Sequence, residues 1–338
     1  MKDTKELIDT LLKSDKVFVP PGKVTWRLPT GILTLDKVLG GGFPGGSIIQ
    51  LYGLEKSGKT TLAYRTAAQA VNAGYSTLLI PIEKYSEQYA EACGLDINSK
   101  NLHLVSADYA ELVFNLCIEA IRNYDTKVII MDSISATTTK ADLEKKQKTE
   151  DMEKGFNIGS QARAVSDFIR KIQQPIRRKE AIFLTVNQLS YEIGRWGGRP
   201  LPKGGLALQY FSDIKLNMWG KENKKVAKPY IETIVTVDKG KDWDIIPYGS
   251  TTLTIYHAQG IDVEADLLNA CERTGIVDKK GAWYIYGKHK IQGANGFVEL
   301  LRKDSKLRSE LFDKASQSDF KVDIREPEEE EKEENEEE

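Results

Sequence analysis

Cysteine and histidine are scarce in this sequence, and the few present are not arranged as ligands. The three cysteines of the 338-residue chain are odd in number, widely spaced and free of any C-x-x-C pair: Cys93, Cys117 and Cys271. This pattern excludes a disulfide framework and a structural zinc site, and it fits a reducing cytoplasm. The three histidines are equally scattered, so we assign no transition-metal site.

Long apolar runs are also missing. No stretch approaches the roughly 18 apolar residues of a membrane span. The N-terminal stretch MKDTKELIDTLLKSDK is too charged for the apolar segment of a secretory signal. We therefore expect a soluble, cytoplasmic protein without a membrane partner.

The chain as a whole lacks an excess of either charge. Its 48 basic and 50 acidic residues leave a formal net charge of −2, whereas nucleic-acid binders usually carry a basic excess. The average is misleading, because residues 326–338 hold ten Glu and one Lys. Residues 1–325 carry 47 positive and 40 negative charges, a net of +7, so the part expected to fold is mildly basic.

The length and the 40% of apolar residues suit two domains rather than one. Leu7, Ile8, Leu11 and Leu12 share one face of a short N-terminal helix; an extended run (17–19) follows it, and residues 20–22 (Pro-Pro-Gly) rule out further helix. A helix of about 10 residues is marginal alone, so this segment (1–29) is expected to pack on its own subunit or on a neighbour.

Residues 30–258 read as an α/β core. Short apolar runs alternate with helical stretches, as expected for parallel strands buried on both faces: 47–52, 76–83, 127–132 and 181–188. Three further runs lack long helices between them and are expected to extend the same sheet as antiparallel strands: 213–218, 233–238 and 251–256. The fold class is therefore α/β, with a mixed, mainly parallel central sheet.

The rest of the chain divides into two parts. Residues 259–320 turn helical again around a compact Gly281-Ala-Trp-Tyr-Ile-Tyr286 stretch and predict a small α+β domain. Residues 321–338 end in the acidic run and are expected to be disordered, because they cannot bury enough apolar surface to offset their ordering entropy.

The strongest motif is G-x-x-x-x-G-K-[ST], between a predicted strand and a predicted helix. We call residues 53–60 the phosphate loop. Its backbone N–H groups wrap phosphates, the lysine reaches the β and γ oxygens, and the threonine hydroxyl coordinates Mg²⁺. The predicted ATP-binding residues are Gly53, Glu55, Lys56, Ser57, Gly58, Lys59, Thr60 and Thr61.

Polar residues end three other predicted strands, on the edge where open α/β sheets bind ligands. Asp132 is the expected second Mg²⁺ anchor beside Thr60. Glu83 fits either a carboxylate that activates the attacking water or a solvated acid at a strand end, and spacing alone does not separate the two. Asn187 and Gln188 carry amides that could sense the γ-phosphate.

Two segments are candidates for nucleic-acid contact. The second loop (189–205) interleaves stacking and basic side chains with five glycines and two prolines, which suits single-stranded nucleic acid: Tyr191, Arg195, Trp196 and Arg199. The first loop (142–158) is charged, lacks periodicity and leads into a helix bearing Arg163 and Arg170. On its own, the first loop is best interpreted as a solvated loop.

Together these motifs resemble bacterial RecA recombinases over residues 30–338. The phosphate loop, the Val-Ile-Ile-Met-Asp-Ser strand, Val-Asn-Gln before a Gly-rich loop, the Gly281-Ala-Trp-Tyr stretch and the acidic tail occur in the family's order. Hexameric helicases share the nucleotide site but not that C-terminal domain. The resemblance implies a DNA-dependent ATPase that forms filaments on single-stranded DNA with ATP at each subunit interface, pairs the strand with homologous duplex DNA and exchanges strands.

The resemblance also assigns roles by position. Glu83 resembles the water-activating glutamate, Tyr89 the tyrosine that stacks on adenine, and Gln188 the glutamine linking ATP to the second loop. Lys239 and Lys241 resemble the lysine pair that reaches the ATP of the adjacent subunit. The implied DNA contacts are an apolar wedge, a residue inserted between base triplets and backbone-phosphate contacts: Ile158, Ile193, Arg163, Arg170, Gly204 and Gly205.

The chain departs from the family pattern in places. Ser190 and Glu192 stand where bacterial proteins carry basic residues, the first loop has no close match and the N-terminal helix is short, which suggests a phage or mobile-element recombinase. Two other functions are considered: a hexameric DNA motor using the same nucleotide residues, and a mediator paralogue with little turnover.

Overall fold

The computed structural model of the protein describes residues 22–148, 159–190, 201–202, 206–224, 228–319 and 321–325. The strands in chain order are β1 (Arg27–Leu28), β2 (Phe43–Pro44), β3 (Ile48–Gly53), β4 (Thr77–Pro81), β5 (Leu102–Leu104), β6 (Val128–Asp132), β7 (Ile182–Ser190), β8 (Leu201–Pro202), β9 (Ile214–Asn223), β10 (Tyr230–Gly240), β11 (Gly249–Tyr256), β12 (Gly260–Ile261), β13 (Asp278–Lys280), β14 (Trp283–Tyr286), β15 (His289–Gln292) and β16 (Asp323–Ile324).

The helices pack against these strands. They are α1 (Leu33–Val38), α2 (Lys59–Asn72), α3 (Glu87–Ala92), α4 (Ala110–Asn123), α5 (Lys140–Lys148), α6 (Ser160–Lys179), α7 (Leu206–Phe211), α8 (Val263–Arg273), α9 (Ala294–Lys303) and α10 (Ser305–Gln317). Among the described residues, no helix is both long enough and apolar enough to cross a bilayer.

A mixed, mainly parallel sheet forms the centre of the molecule, as the sequence predicts. Its strand order is β12-β11-β10-β9-β3-β7-β6-β4-β5, and the strands from β9 to β5 are parallel. Alternate residues of β6 enter two cores. Val128 and Ile130 pack with α2, whereas Ile129 and Met131 pack with α4 and α6. Burial on both faces explains why these strands are continuous apolar runs.

One part of the predicted topology is wrong. The sequence pattern predicts antiparallel strands at 213–218, 233–238 and 251–256, but β9 joins β3 in parallel, and the antiparallel pairing starts between β9 and β10. The short helix α7 precedes β9, and Asp213 N donates to Ile48 O (2.7 Å) at the start of β3. Beside β3, the chain then runs in the same direction.

The prediction of an irregular first loop is also wrong at its start, because residues 140–148 form α5. The Thr139 hydroxyl donates to Asp142 Oδ2 (2.6 Å) and accepts from Asp142 N (3.3 Å), which caps the helix. The Ser160 hydroxyl donates to the same Asp142 oxygen and ties α5 to α6. Capping rather than an apolar stripe stabilises this helix, so it gives no periodic signal.

The C-terminal part has its own small core between α8, α9, α10 and the antiparallel sheet β13-β14-β15. It contacts the ATPase core through α1. The Thr34 amide and hydroxyl both donate to the buried Asp266 carboxylate, and the Thr34 hydroxyl also bonds the Thr251 hydroxyl at 2.6 Å. Strand β16 then returns to the central sheet, where Ile324 pairs with Gly249 of β11. The prediction of disorder from residue 321 onward is therefore wrong for β16, because backbone pairing with β11 orders these residues.

Candidate functional site

The phosphate loop lies between β3 and α2, as predicted. Gly58 is the N-cap of α2, and having no side chain it leaves the first N–H groups of that helix for a ligand. Gly53 and Gly58 both have positive φ, at 156° and 83°. A Cβ on Gly53 would lie 2.0 Å from Met218 O, and one on Gly58 would lie 2.3 Å from Ile255 Cδ1. Strands β9 and β11 therefore pack directly against the phosphate loop and leave no room for a side chain at either glycine.

Lys59 is held inside the loop. Its ammonium group donates to Gly53 O (3.0 Å), Ser57 Oγ (3.2 Å) and Leu54 O. Burial lowers the pKa of Lys59 to about 8, and the nearby carboxylates of Asp132 and Glu83 act in the opposite direction. Negative charge from a bound phosphate would favour the protonated form further.

Asp132 ends β6 beside the loop. It is nearly fully buried and accepts a hydrogen bond from the Thr60 hydroxyl. Burial raises its pKa to about 6, partly offset by this hydrogen bond. In the described part of the chain, no three His, Cys, Asp or Glu side chains form a metal cluster. A hydroxyl and one carboxylate fit Mg²⁺, which takes its other oxygens from phosphates and water.

Glu83, which follows β4, and Gln188 of β7 are hydrogen-bonded to each other across the end of β6, the strand that lies between them. Glu83 Oε1 accepts from Gln188 Nε2 (2.9 Å) and from the Ser133 hydroxyl (2.8 Å). Glu83 N donates to Asp132 O at 3.3 Å, so the glutamate is also tied to the end of β6. The glutamate is therefore part of a network at the nucleotide pocket, and its catalytic role stays a prediction.

Tyr89 lies on α3 against the first turn of α2. Its hydroxyl and that of Thr61 are 2.5 Å apart, and its ring centroid is 6.3 Å from that of Tyr64. Burial raises the pKa of Tyr89 to about 12, so the phenol is neutral and able to donate. Its position on the pocket wall fits the predicted contact with a nucleobase, which stays a prediction.

The pocket over the phosphate loop has a volume of about 650 Å³ and includes residues that the sequence did not single out. Glu222 from β9, Ile231 from β10 and His257 after β11 line it together with the predicted residues. Glu222 pairs with Lys224 (2.6 Å) and, more loosely, with Lys56 of the loop (3.7 Å). These residues belong to no motif, and only the sheet order brings them to the loop.

Lys239 and Lys241 lie at the other end of the sheet. Lys239 of β10 pairs with Lys215 of β9, which in turn pairs with Gln50 of β3. The Lys241 amide donates to Asp213 O, next to Ile48 at the start of β3. The phosphate loop begins at Gly53, five residues further along β3, or roughly 16 Å at the rise of a strand. Within one chain, the lysine pair is not brought to the nucleotide pocket.

Arg163 and Arg170 lie on the exposed side of α6, two turns apart. Arg163, near the N-terminus of α6, borders a cleft of about 430 Å³ between α6 and α4. Gln161 Nε2 donates to Ser135 O (2.8 Å) and Thr137 O (2.9 Å), which fixes the start of α6 to the segment after Asp132. The arginines thus lie on a helix that starts close to the nucleotide pocket.

The other predicted DNA contacts are outside the described residues, as are the N-terminal helix, Tyr191, Glu192 and the acidic tail. These contacts stay predictions: Ile158, Ile193, Arg195, Trp196, Arg199, Gly204 and Gly205.

Comparison with known proteins covers nearly the whole chain. The family model for the RecA N-terminal domain matches residues 22–262, and that for the RecA C-terminal domain matches residues 265–318. Protein RecA of Thermotoga maritima is 31% identical over 310 residues, 89% of this chain and 84% of the relative. Protein RecA of Staphylococcus aureus strain JH9 is 30% identical over 323 residues, 91% of each chain.

Proposed function

The chain belongs to the RecA family, and on that premise we propose that it is a DNA-dependent ATPase that forms helical filaments on single-stranded DNA and catalyses homologous pairing and strand exchange. The observation that carries this proposal is the hydrogen bond between Glu83 and Gln188. It joins the predicted hydrolytic carboxylate to the residue that immediately precedes the second loop. Such a link supports an ATPase that responds to DNA.

Different residues of the pocket are assigned different steps of ATP hydrolysis. The phosphate loop and Lys59 bind and orient the phosphates of ATP, and Thr60 and Asp132 would hold Mg²⁺, which neutralises phosphate charge when bound. Glu83 receives both of its described side-chain hydrogen bonds at Oε1. We assign Oε2 as the atom that takes the proton of the attacking water.

Gln188 couples nucleotide binding to the position of the second loop. Its amide can bond either Glu83 or the γ-phosphate, so a bound nucleotide shifts the end of β7 and with it the start of the second loop. By linkage, DNA that favours one position of the second loop changes nucleotide affinity by the same factor.

The lysine pair is assigned to the nucleotide of the neighbouring subunit. Its own phosphate loop lies at the opposite edge of the sheet, so a head-to-tail neighbour is needed to bring lysines and phosphates together. A cation supplied in trans stabilises transition-state charge and makes hydrolysis depend on assembly. This fits the self-association that membership in the family implies.

The proposal includes a cytoplasmic location. All three cysteines are buried and unpaired, and burial raises the pKa of each thiol, which keeps it protonated and unreactive. A reducing compartment suits such thiols.

The test is ATP turnover with and without single-stranded DNA, together with electron microscopy. We expect DNA-stimulated hydrolysis and helical filaments. Closed rings would favour a hexameric motor, and ATP binding with negligible turnover on DNA would favour a mediator. Either result would contradict the proposed function.

Action in trans is tested by mixing variants. Lys59→Ala and Lys239→Ala/Lys241→Ala are each expected to be inactive alone. Mixed, they should regain part of the DNA-stimulated turnover, since some interfaces then pair an intact phosphate loop with intact lysines. No recovery in proteins shown to co-assemble would count against the assignment.

A further inference from the structure

The described side-chain hydrogen bonds of the lysine pair end on one short segment, residues 209–213. The Lys239 ammonium group donates to Gln209 O (3.1 Å) and Tyr210 O (2.8 Å), at the carboxyl end of α7. The Lys241 ammonium group pairs with Asp213 Oδ1 at 2.6 Å. Both cations are therefore fixed by the segment that follows the second loop.

Asp213 is itself firmly held. It is 8% exposed, its Oδ2 accepts from Ile48 N (3.0 Å), and its own amide donates to Ile48 O (2.7 Å). The Arg177 guanidinium lies 3.8 Å from Oδ1 and adds positive charge on the other side. Because Asp213 is anchored to the start of β3, the position of Lys241 is set by the sheet and not by its own flexible side chain.

Both lysine ammonium groups keep N–H donors that are not used in these described bonds. An ammonium group has three N–H donors, of which Lys239 uses two and Lys241 one in these described bonds. The Lys241 side chain is 41% exposed, so its other donors can point away from the subunit. A cation held in this way loses little conformational entropy when it meets a phosphate.

We propose that Asp213 is a positioning residue for hydrolysis at the neighbouring subunit, because it fixes Lys241 at the sheet edge while the carboxyl end of α7 fixes Lys239. The inference rests on the proposed function. It also gives DNA a direct route to the lysines, since α7 starts at Leu206, immediately after the second loop. A shift of α7 moves the carbonyl groups that hold Lys239.

The first test is Asp213→Asn. The amide oxygen still accepts from Ile48 N, but the charge that holds Lys241 is lost. We expect the DNA-stimulated kcat to fall at least tenfold. The KM for ATP should change less than twofold, because the phosphate loop that binds ATP lies at the opposite end of β3 from Asp213. Asp262→Asn is the matched control: Asp262 is 7% exposed, accepts from Ala265 N (3.1 Å) and pairs with Arg302 (2.7 Å), far from the lysines in the fold. The control should keep wild-type turnover.

Mixing separates positioning from general damage. Asp213→Asn should regain turnover when mixed with Lys59→Ala, whose lysines and Asp213 are intact, and should not regain it with Lys239→Ala/Lys241→Ala, which fails on the same side of the interface. In addition, Asp213→Asn should add little to the loss caused by Lys241→Ala alone. If Asp213→Asn does not fold, Asp213→Glu keeps the charge but displaces it, and the same pattern is expected.

The outcomes are distinct. Unchanged or increased turnover in Asp213→Asn would overturn the inference, and an increase would make Asp213 a lock on Lys241 instead. Recovery with the double lysine variant, or recovery with neither partner in a folded protein, would also overturn it. These results leave the proposed function intact, whereas wild-type protein without DNA-stimulated turnover would overturn both.

Discussion

Lys59 and Glu83 lie in one pocket, and because different roles in hydrolysis are proposed for them, their loss should have different effects. Lys59→Ala removes a buried cation of the phosphate loop and should abolish measurable ATP affinity. Glu83→Gln keeps an oxygen for Ser133 and Gln188 but cannot take a proton. It should bind ATP and lose about 10²–10⁴-fold in kcat.

The measurement is equilibrium binding of a fluorescent ATP analogue alongside phosphate release on DNA. Glu87→Gln, an exposed glutamate in the first turn of α3, is the control and should behave as wild type. If Glu83→Gln hydrolyses ATP at the wild-type rate in the presence of DNA, Glu83 is not the water-activating residue.

Asp36 should make stability depend on pH. Its carboxylate accepts from the amide (2.7 Å) and hydroxyl (2.8 Å) of Thr30, and burial raises its pKa from 3.8 to about 7. Between these two values, the folded state keeps a proton that the unfolded state has released, so this group's contribution to stability falls as pH rises and is constant above pH 7.

Asp36→Asn keeps an acceptor for Thr30 and removes the titration. Relative to wild type, the variant should gain up to about 1.4 kcal/mol of unfolding free energy per pH unit between pH 5 and 7. Urea unfolding at pH 5, 6, 7 and 8 measures this, with Asp125→Asn as an exposed control. Parallel curves for wild type and Asp36→Asn would show that Asp36 is ionised in the folded state throughout.

At the scale of elements, β9 supports the phosphate loop through a glycine. A Cβ on Gly220 would lie 2.8 Å from Ser57 Cα and 3.0 Å from Lys56 O, both of them loop backbone. Gly220→Ala should therefore displace the loop and weaken ATP binding at least tenfold, with little change in the unfolding midpoint. Gly22→Ala, where an added Cβ meets nothing within 4 Å, is the control. An unchanged Kd for ATP would mean that the loop adapts without loss.

The elements also show what sequence patterns can and cannot predict. The apolar runs that end at Asp132 and Gln188 correspond to β6 and β7, because a strand buried on both faces must be apolar throughout. Helix α5 has no such pattern, because Thr139 and Asp142 stabilise it locally. Likewise, Glu222 reaches the pocket only through the register of β9, and no spacing in the sequence encodes that register.

The motifs nevertheless located most of the pocket. Lys59, Thr60 and Asp132 lie together because the phosphate loop and the end of β6 are at the same edge of a parallel sheet. The lysine pair is identified only through resemblance to a family, since two lysines at a strand end carry no signal of their own. The structure adds the segment that holds them.

At the scale of the molecule, the acidic tail begins after Arg325, whose amide donates to Tyr248 O (2.9 Å) next to β11. Removing residues 326–338 changes the formal net charge from −2 to +7. The truncated protein should bind duplex DNA more tightly at low salt and need less Mg²⁺ for strand exchange. Each additional DNA phosphate that a released cation neutralises steepens the log–log salt slope by about 0.9.

Salt titrations on duplex DNA compare the full chain with residues 1–325. A chain in which all ten tail glutamates are replaced by glutamine keeps the length and removes the charge, and it should follow the truncated protein. Superimposable titrations of the full and truncated chains would leave the tail with a solubilising role alone.

The phosphate loop and the lysine pair lie at opposite ends of the sheet, and this placement also makes the two termini of a head-to-tail assembly different. Subunits joined head to tail use two different surfaces, so an open chain has chemically unlike termini. If the lysine pair acts in trans as proposed, one terminal subunit has a phosphate loop that no lysines reach, and the lysines of the other terminal subunit contact no nucleotide. Turnover per subunit should then be lowest in short oligomers and rise toward a plateau with length. Addition and loss of subunits should also differ in rate between the termini, which gives growth on DNA a direction.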